Sequence, residues 1–146
     1  MVKKSIKTLA IASVFTVAMA SPSFAGFGHE WMKASSGETS VDRYVDLDTV
    51  KTEGSLVFAF ELWDYERQSP WTTKPVRSEI TRVAYNCDEK YSLVLGTTGY
   101  SLPMGKGEVL ERTDYHTLRR VYLNMVDAMG APMLKLACTY AKMWGK

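Results

Sequence analysis

A chain of 146 residues, 46% hydrophobic and 23% charged, is long enough to bury one core and too short for several domains. Its formal charge of +2 depends on Lys3, Lys4 and Lys7: without them, 15 basic residues face 16 acidic ones (18 less 3, against 16), leaving −1. That balance excludes a global electrostatic case for binding nucleic acid or an anionic membrane.

The N-terminus reads as a targeting segment. The three lysines precede an apolar run from Leu9 to Ala20 that is short for a bilayer span. Ser23-Phe24-Ala25 then supplies a small-x-small exit. Residues 1–25 are therefore expected to be a secretory signal cleaved after Ala25, with 26–146 as a single mature domain. An uncleaved anchor is the competing reading. No cysteine stands near the junction, so a lipoprotein is not expected, nor is a transmembrane segment after cleavage. Export places the protein in the periplasm or at the cell surface, where a pair of cysteines usually bonds.

Gly26 to Glu30 reads as a loose lead. Trp31 to Ala34 starts a strand, Ser35 to Thr39 is a polar turn, and Val41 to Asp46 forms a second short strand. Asp46 to Val50 reads as a turn or one helical turn, with Asp46 or Asp48 capping free N–H groups. Gly54 closes the connection. Ser55 to Tyr65 is the clearest strand: Leu56, Phe58, Phe60 and Leu62 share one face, and Val57, Ala59, Glu61, Trp63 and Tyr65 the other. Pro70 and Pro75 hold Arg67 to Pro75 as a loop.

A strand from about Ser78 to Cys87 follows, with Val83, Tyr85 and Cys87 on one face and Arg82 on the other. Asn86, Asp88 and Lys90 supply turn chemistry, and Tyr91 to Thr98 is the next strand. Gly99 to Gly107 breaks the sheet, and Glu108 to Arg112 makes a last strand. Leu118 to Met125 fits strand or helix. From Asp127, a plausible N-cap, Met129, Met133, Leu136 and Tyr140 recur at helical spacing. Sequential hairpins favour an antiparallel sheet.

Cys87 and Cys138 are the only cysteines. If they bond, the hairpin around Cys87 is fastened to the last helix. A metal or redox pair is the alternative, against which stand the absent Cys-x-x-Cys and the presence of only His29 and His116.

Several short motifs occur together: Trp31, Tyr44-Val45-Asp46 with Thr49-Val50 and Gly54, Leu62-Trp63-Asp64-Tyr65, Val83-Ala84-Tyr85-Asn86-Cys87, Tyr100-Ser101, Met104-Gly105-Lys106-Gly107-Glu108-Val109, and Cys138. In this order, from Trp31 to Cys138, they resemble the surface-adhesin protein E-like family of exported proteobacterial proteins. The resemblance implies an antiparallel sheet with a C-terminal helix on one face and a Cys87–Cys138 disulfide. It also implies binding of host extracellular-matrix or serum proteins, and a basic ligand-binding segment at Lys74, Arg77, Arg82 and Lys90. The chain departs from the family at Phe60, where tryptophan is common, and in lacking a lipid-anchor cysteine.

Each candidate site has a plainer reading. Lys74, Arg77, Arg82 and Lys90 could bind an acidic or sulfated ligand, or be a solvated face diluted by Glu79, Asp88 and Glu89. Trp63, Tyr65 and Trp71 could anchor an interface, Trp71 most directly, or pack a minor core under the Pro70–Pro75 loop. Met125, Met129 and Met133 invite a copper reading, but gap-filling on a helix face explains them. His116 lacks the context of a catalytic triad. Gly105-Lys106-Gly107 is too short for a phosphate loop and suits a tight turn.

The sequence thus predicts an α+β domain with a single antiparallel sheet of about five or six strands. One C-terminal helix packs on one face, presenting Met129, Met133 and Leu136 to Phe58, Phe60 and Leu93. No enzyme, metal or cofactor is expected. The first functional reading is a cell-envelope protein-binding module of adhesin type. The alternative is a soluble periplasmic accessory protein holding an envelope component or a small apolar ligand. A homodimer is compatible with either.

Overall fold

The computed structural model describes residues 29–35, 40–122 and 130–145. The signal segment, the 36–39 turn, and Asp127, Met125 and Met129 lie outside the described residues. Six strands form an antiparallel meander in sequence order: β1 Trp31–Ser35, β2 Val41–Glu53, β3 Leu56–Tyr65, β4 Ser78–Asn86, β5 Tyr91–Leu102 and β6 Lys106–Asp114. A short β7, Arg120–Tyr122, continues the outer edge beyond β6 by pairing with β5 at Tyr91–Leu93. The helix α1 spans Ala131–Trp144.

Local chemistry explains the turns. Gly54, at φ 62°, reverses the chain between β2 and β3. At the β4–β5 turn the Asn86 carboxamide oxygen accepts the N–H groups of Asp88 (3.1 Å) and Glu89 (2.8 Å). The β5–β6 turn is tighter than a nine-residue break. β5 runs on to Leu102, and Met104 and Gly105 reverse it at φ 58° and 68°. A Cβ at Gly105 would stand 2.7 Å from Ile80 Cδ1, so the turn folds down over Ile80 and the fully buried Leu62.

Residues 46–50 are not a separate turn. β2 continues through them as a bulge against β3, where the register shifts between Asp46 and Lys51. Asp46 does cap a backbone group there: its carboxylate accepts the Asp48 N–H at 3.1 Å. Thr49 Oγ1 accepts the Phe60 N–H that the bulge leaves without a ladder partner. The described end of the N-terminal lead is held as well. Asp46 is fully buried and pairs with His29 Nδ1, whose ring stacks on Trp31 with centroids 5.2 Å apart.

The helix begins at Ala131 with Pro132 in its first turn, where a missing N–H costs nothing. Gly130 takes the N-cap position without a side-chain bond, and Gly145 ends the helix in the left-handed region at φ 63°. Met133, Leu134, Ala137 and Ala141 form its buried face.

That face packs on the side of the sheet opposite to the one expected. Its partners are Val45, Leu47, Val50, Val57, Ala59, Val83 and Tyr85, whereas Phe58, Phe60 and Leu93 lie on the other side and are half-buried. Pairing register is the reason. Ala59 stands opposite Val83 and Val57 opposite Tyr85, so the odd-numbered face of β3 shares a side with Cys87. Cys87 is bonded to Cys138, with Cα atoms 5.9 Å apart. A helix holding Cys138 must lie on the Cys87 side, and Ala59 leaves room for it.

The bond closes a separation of 51 residues, which in the chain-entropy model stabilises the fold by about 4 kcal/mol. Replacing both cysteines by serine should lower the urea midpoint by an amount equivalent to about 2–4 kcal/mol. Non-reduced peptide mapping should recover a single cross-linked pair. An unchanged midpoint would mean the helix is held by packing alone.

Candidate functional site

On the helix-bearing side of the sheet, α1 covers β1, β2 and part of β3. Beyond it the sheet surface is polar, because two transverse rows of side chains run across the strands. In the first, Glu61 stands beside Thr81, Thr81 beside Thr97, and Thr97 beside Thr113. In the second, Trp63 stands beside Glu79, Glu79 beside Gly99, and Gly99 beside Glu111. The connection from Glu66 to Arg77 crosses above the second row. Ser69 Oγ donates to Glu79 at 3.1 Å, Thr72 Oγ1 donates to Glu111 at 3.0 Å, and Lys74 Nζ donates to the Leu110 carbonyl at 2.7 Å. A Cβ at Gly99 would meet Val76 at 3.0 Å and Glu111 at 2.9 Å, so glycine lets this connection sit close to the strands. Loop and sheet together border an open cavity of about 470 Å³.

Glu61 is the buried carboxylate in its wall. It is 5% exposed, and burial pushes its carboxyl up to about 7, although the Trp63 indole N–H at 3.0 Å and the Arg43 guanidinium both favour the ionised form. Tyr85 donates to its second oxygen. Arg43 is itself 2% exposed and stacks over the Trp63 ring at 4.9 Å. The Tyr65 hydroxyl donates to Glu79 at 3.0 Å, and burial raises its pKa further. The arrangement is a polar recess lined by three glutamates, four threonines and aromatic rings. Among the described residues there is no group of three or more His, Cys, Asp or Glu able to hold a metal ion.

The residues singled out from sequence are dispersed around this frame. Trp71 stands on the rim of the cavity, 70% exposed. Trp63 and Tyr65 line the wall, with Tyr65 buried, so this trio divides between surface and minor core. Lys74 is fixed to β6, and Arg77 donates to the Glu66 carbonyl at 3.2 Å at the base of the same loop. Arg82 lies on the opposite face of the sheet, as its register requires, paired with Asp114. Lys90 is exposed at the β4–β5 turn with φ 57°. Lys74 and Arg77 thus share a loop with Trp71, whereas Arg82 and Lys90 stand elsewhere. Met133 is a core residue, 1% exposed, and His116 is exposed.

Sequence reasoning missed Glu61, Glu79 and Glu111 as a set. They come from three strands, and only the inter-strand register brings them together. One signal was readable: an acidic residue inside the apolar run Phe60-Glu61-Leu62-Trp63, which a buried strand tolerates only with partners.

Glu61 holds its proton more tightly in the folded chain than in the unfolded one. The stability it contributes is therefore complete below about pH 4.5 and is lost as pH rises through about 7. Glu61→Gln should abolish that slope, on the order of 3 kcal/mol between the two limits. Urea unfolding of both proteins from pH 5 to pH 8 checks this, and parallel curves would show that Glu61 titrates normally.

A model of the family described as Surface-adhesin protein E matches residues 31–139. Among solved structures, protein E from non-typeable Haemophilus influenzae has a TM-score of 0.55 at 13% identity, covering 77% of this chain and 78% of that one. A second Haemophilus influenzae protein E structure gives 0.51 at 15% identity over 77% and 96% of the two chains. A selenomethionine form gives 0.52 at 16% identity over 80% and 88%. At such identities the structural likeness is one of fold. Among curated protein sequences, none matches significantly. The family match takes in every strand and the disulfide, and the chain belongs to the surface-adhesin protein E family.

Proposed function

We propose that the protein is an exported binding module of the cell envelope, of surface-adhesin type, with host extracellular-matrix or serum proteins as its partners. The observation that carries this reading is the family match over residues 31–139. The family points to binding rather than catalysis. On this proposal, signal cleavage after Ala25 releases one domain without a lipid anchor into the periplasm or onto the cell surface. No described helix is long and apolar enough to cross a membrane.

The contact surface we assign centres on the loop after β3. Trp71 offers a large exposed ring, and Lys74 and Arg77 lie in the same loop. An exposed tryptophan beside cationic side chains has the composition of an interface anchor. Arg82 and Lys90 would add peripheral charge, which affects encounter and salt dependence more than affinity.

A second reading is a periplasmic accessory protein that holds a small envelope ligand. The cavity beneath the loop favours it, although three carboxylates in the lining suit a polar ligand better than an apolar one. Protease accessibility on intact cells against release by osmotic shock separates the two readings.

Solid-phase binding of the mature protein to a panel of matrix proteins tests the first. Trp71→Ala should weaken binding by about 30-fold, the effect of losing one anchor worth about 2 kcal/mol. The triple alanine variant of Lys74, Arg77 and Arg82 should lose part of the salt dependence, and Lys90→Ala should leave the affinity near the wild-type value with a slightly smaller salt dependence. Unaltered binding by both the Trp71 and the triple variant would remove the loop from the interface.

A further inference from the structure

The cavity beneath the 66–77 loop has a charge opposite to that of the basic segment noted in the sequence. Its walls include Glu61, Glu79 and Glu111, and among the described residues neither lysine nor arginine lines it. Two of these carboxylates are oriented by hydroxyl donors from the loop and from β3, namely Ser69 and Tyr65 on Glu79 and Thr72 on Glu111. Each carboxylate has more acceptor positions than these bonds use. Trp71 stands at the mouth and Tyr115 and Trp63 in the wall, so aromatic rings and carboxylates face the same space.

This combination selects among ligands. An anion would meet the Glu79 and Glu111 carboxylates. An apolar ligand would strip water from them and from the threonine row without replacing the lost hydrogen bonds. A bare metal ion needs ligands that converge on one point, and among the described residues no such group exists. A volume of about 470 Å³ lies in the range of organic-ligand sites. An organic cation satisfies every wall: its N–H groups donate to carboxylates and threonine hydroxyls, and its charge lies against the aromatic faces. The protein already makes such a contact on one of these rings, since the Arg43 guanidinium stacks on Trp63 at 4.9 Å.

We propose that this cavity is a receptor for a guanidinium or ammonium group carried on an extended stem. A free organic cation and the basic side chain of a partner protein share this chemistry. The second source deepens the protein-binding reading and rests on it, with a basic residue of the partner inserted past Trp71.

Calorimetric titration of the mature protein with N-acetyl-arginine amide, and with N-acetyl-citrulline amide as its uncharged isostere, tests the site without any matrix protein. The arginine compound should bind saturably and at least tenfold more tightly than the citrulline compound. Glu111→Gln and Trp71→Ala should each weaken it severalfold, with circular dichroism unchanged. Glu79→Gln keeps an acceptor for Tyr65 and should act likewise. A glycine- and serine-flanked arginine heptapeptide that binds tenfold more tightly than the capped residue would assign the site to a polypeptide ligand, and equal affinities would assign it to a free cation. Equal binding of arginine and citrulline compounds, no binding of either, or undiminished binding by the Glu111 and Glu79 variants would overturn the proposal. Because matrix proteins take no part, such a failure would leave the adhesion reading to be judged on its own assay.

Discussion

The covalent tie between Cys87 and Cys138 is the constraint from which the rest of the arrangement follows. One cysteine ends a strand and the other sits inside the helix, with Cα atoms 5.9 Å apart. That distance fixes the side of the sheet the helix occupies, and pairing register transmits the choice across neighbouring strands. The side chosen carries Ala59 on the sheet, and the helix brings Ala137 and Ala141 to meet it, all three buried. Small residues on both surfaces allow a close approach, and Met133 and Leu134 fill what remains.

A helix tied at that point cannot cover the whole sheet. Fourteen residues reach about 21 Å, and they lie over β1, β2 and part of β3. Where the helix does not reach, the same side turns polar, with Glu79 and Thr81 on β4, Thr97 on β5, and Glu111 and Thr113 on β6. The Glu66–Arg77 connection then closes over this polar half through side-chain hydrogen bonds together with the fully buried Val76. The recess is thus a by-product of two covers, helix and loop, that do not meet.

Much of this was legible in the residues. Period-two alternation marked the strand from Ser55 to Tyr65, helical spacing marked the final element, and export together with two cysteines pointed to the bond. Three features were not legible, for stated physical reasons. The β2 bulge hides in the sequence because Asp46 and Thr49 are as well suited to a turn as to satisfying a bulge's stray N–H. The helix-bearing face was misread because Leu56, Phe58, Phe60 and Leu62 form the more apolar face of β3. Only Leu62 among them is fully buried, under the β5–β6 turn rather than the helix. The carboxylate set was invisible because a single chain does not encode which of its strand residues stand side by side until the register is known. The basic residues illustrate the converse: near one another in sequence, Arg82 and Lys90 are separated in space from Lys74 by strand alternation and by the length of β4.

The placement of the chain ends has a bearing on orientation. His29 is pinned to Asp46 on β2, and the helix rests on β1 and β2, so both described ends belong to the flank of the sheet that begins with β1. The loop contacts β6 on the opposite flank, five strand spacings or about 24 Å away. A hold applied at His29 or through the helix, whether by a sensor surface, a fused partner or a crowded envelope layer, therefore acts on the β1 flank. The exposed indole ring, in a loop fastened to β6, then lies away from that hold.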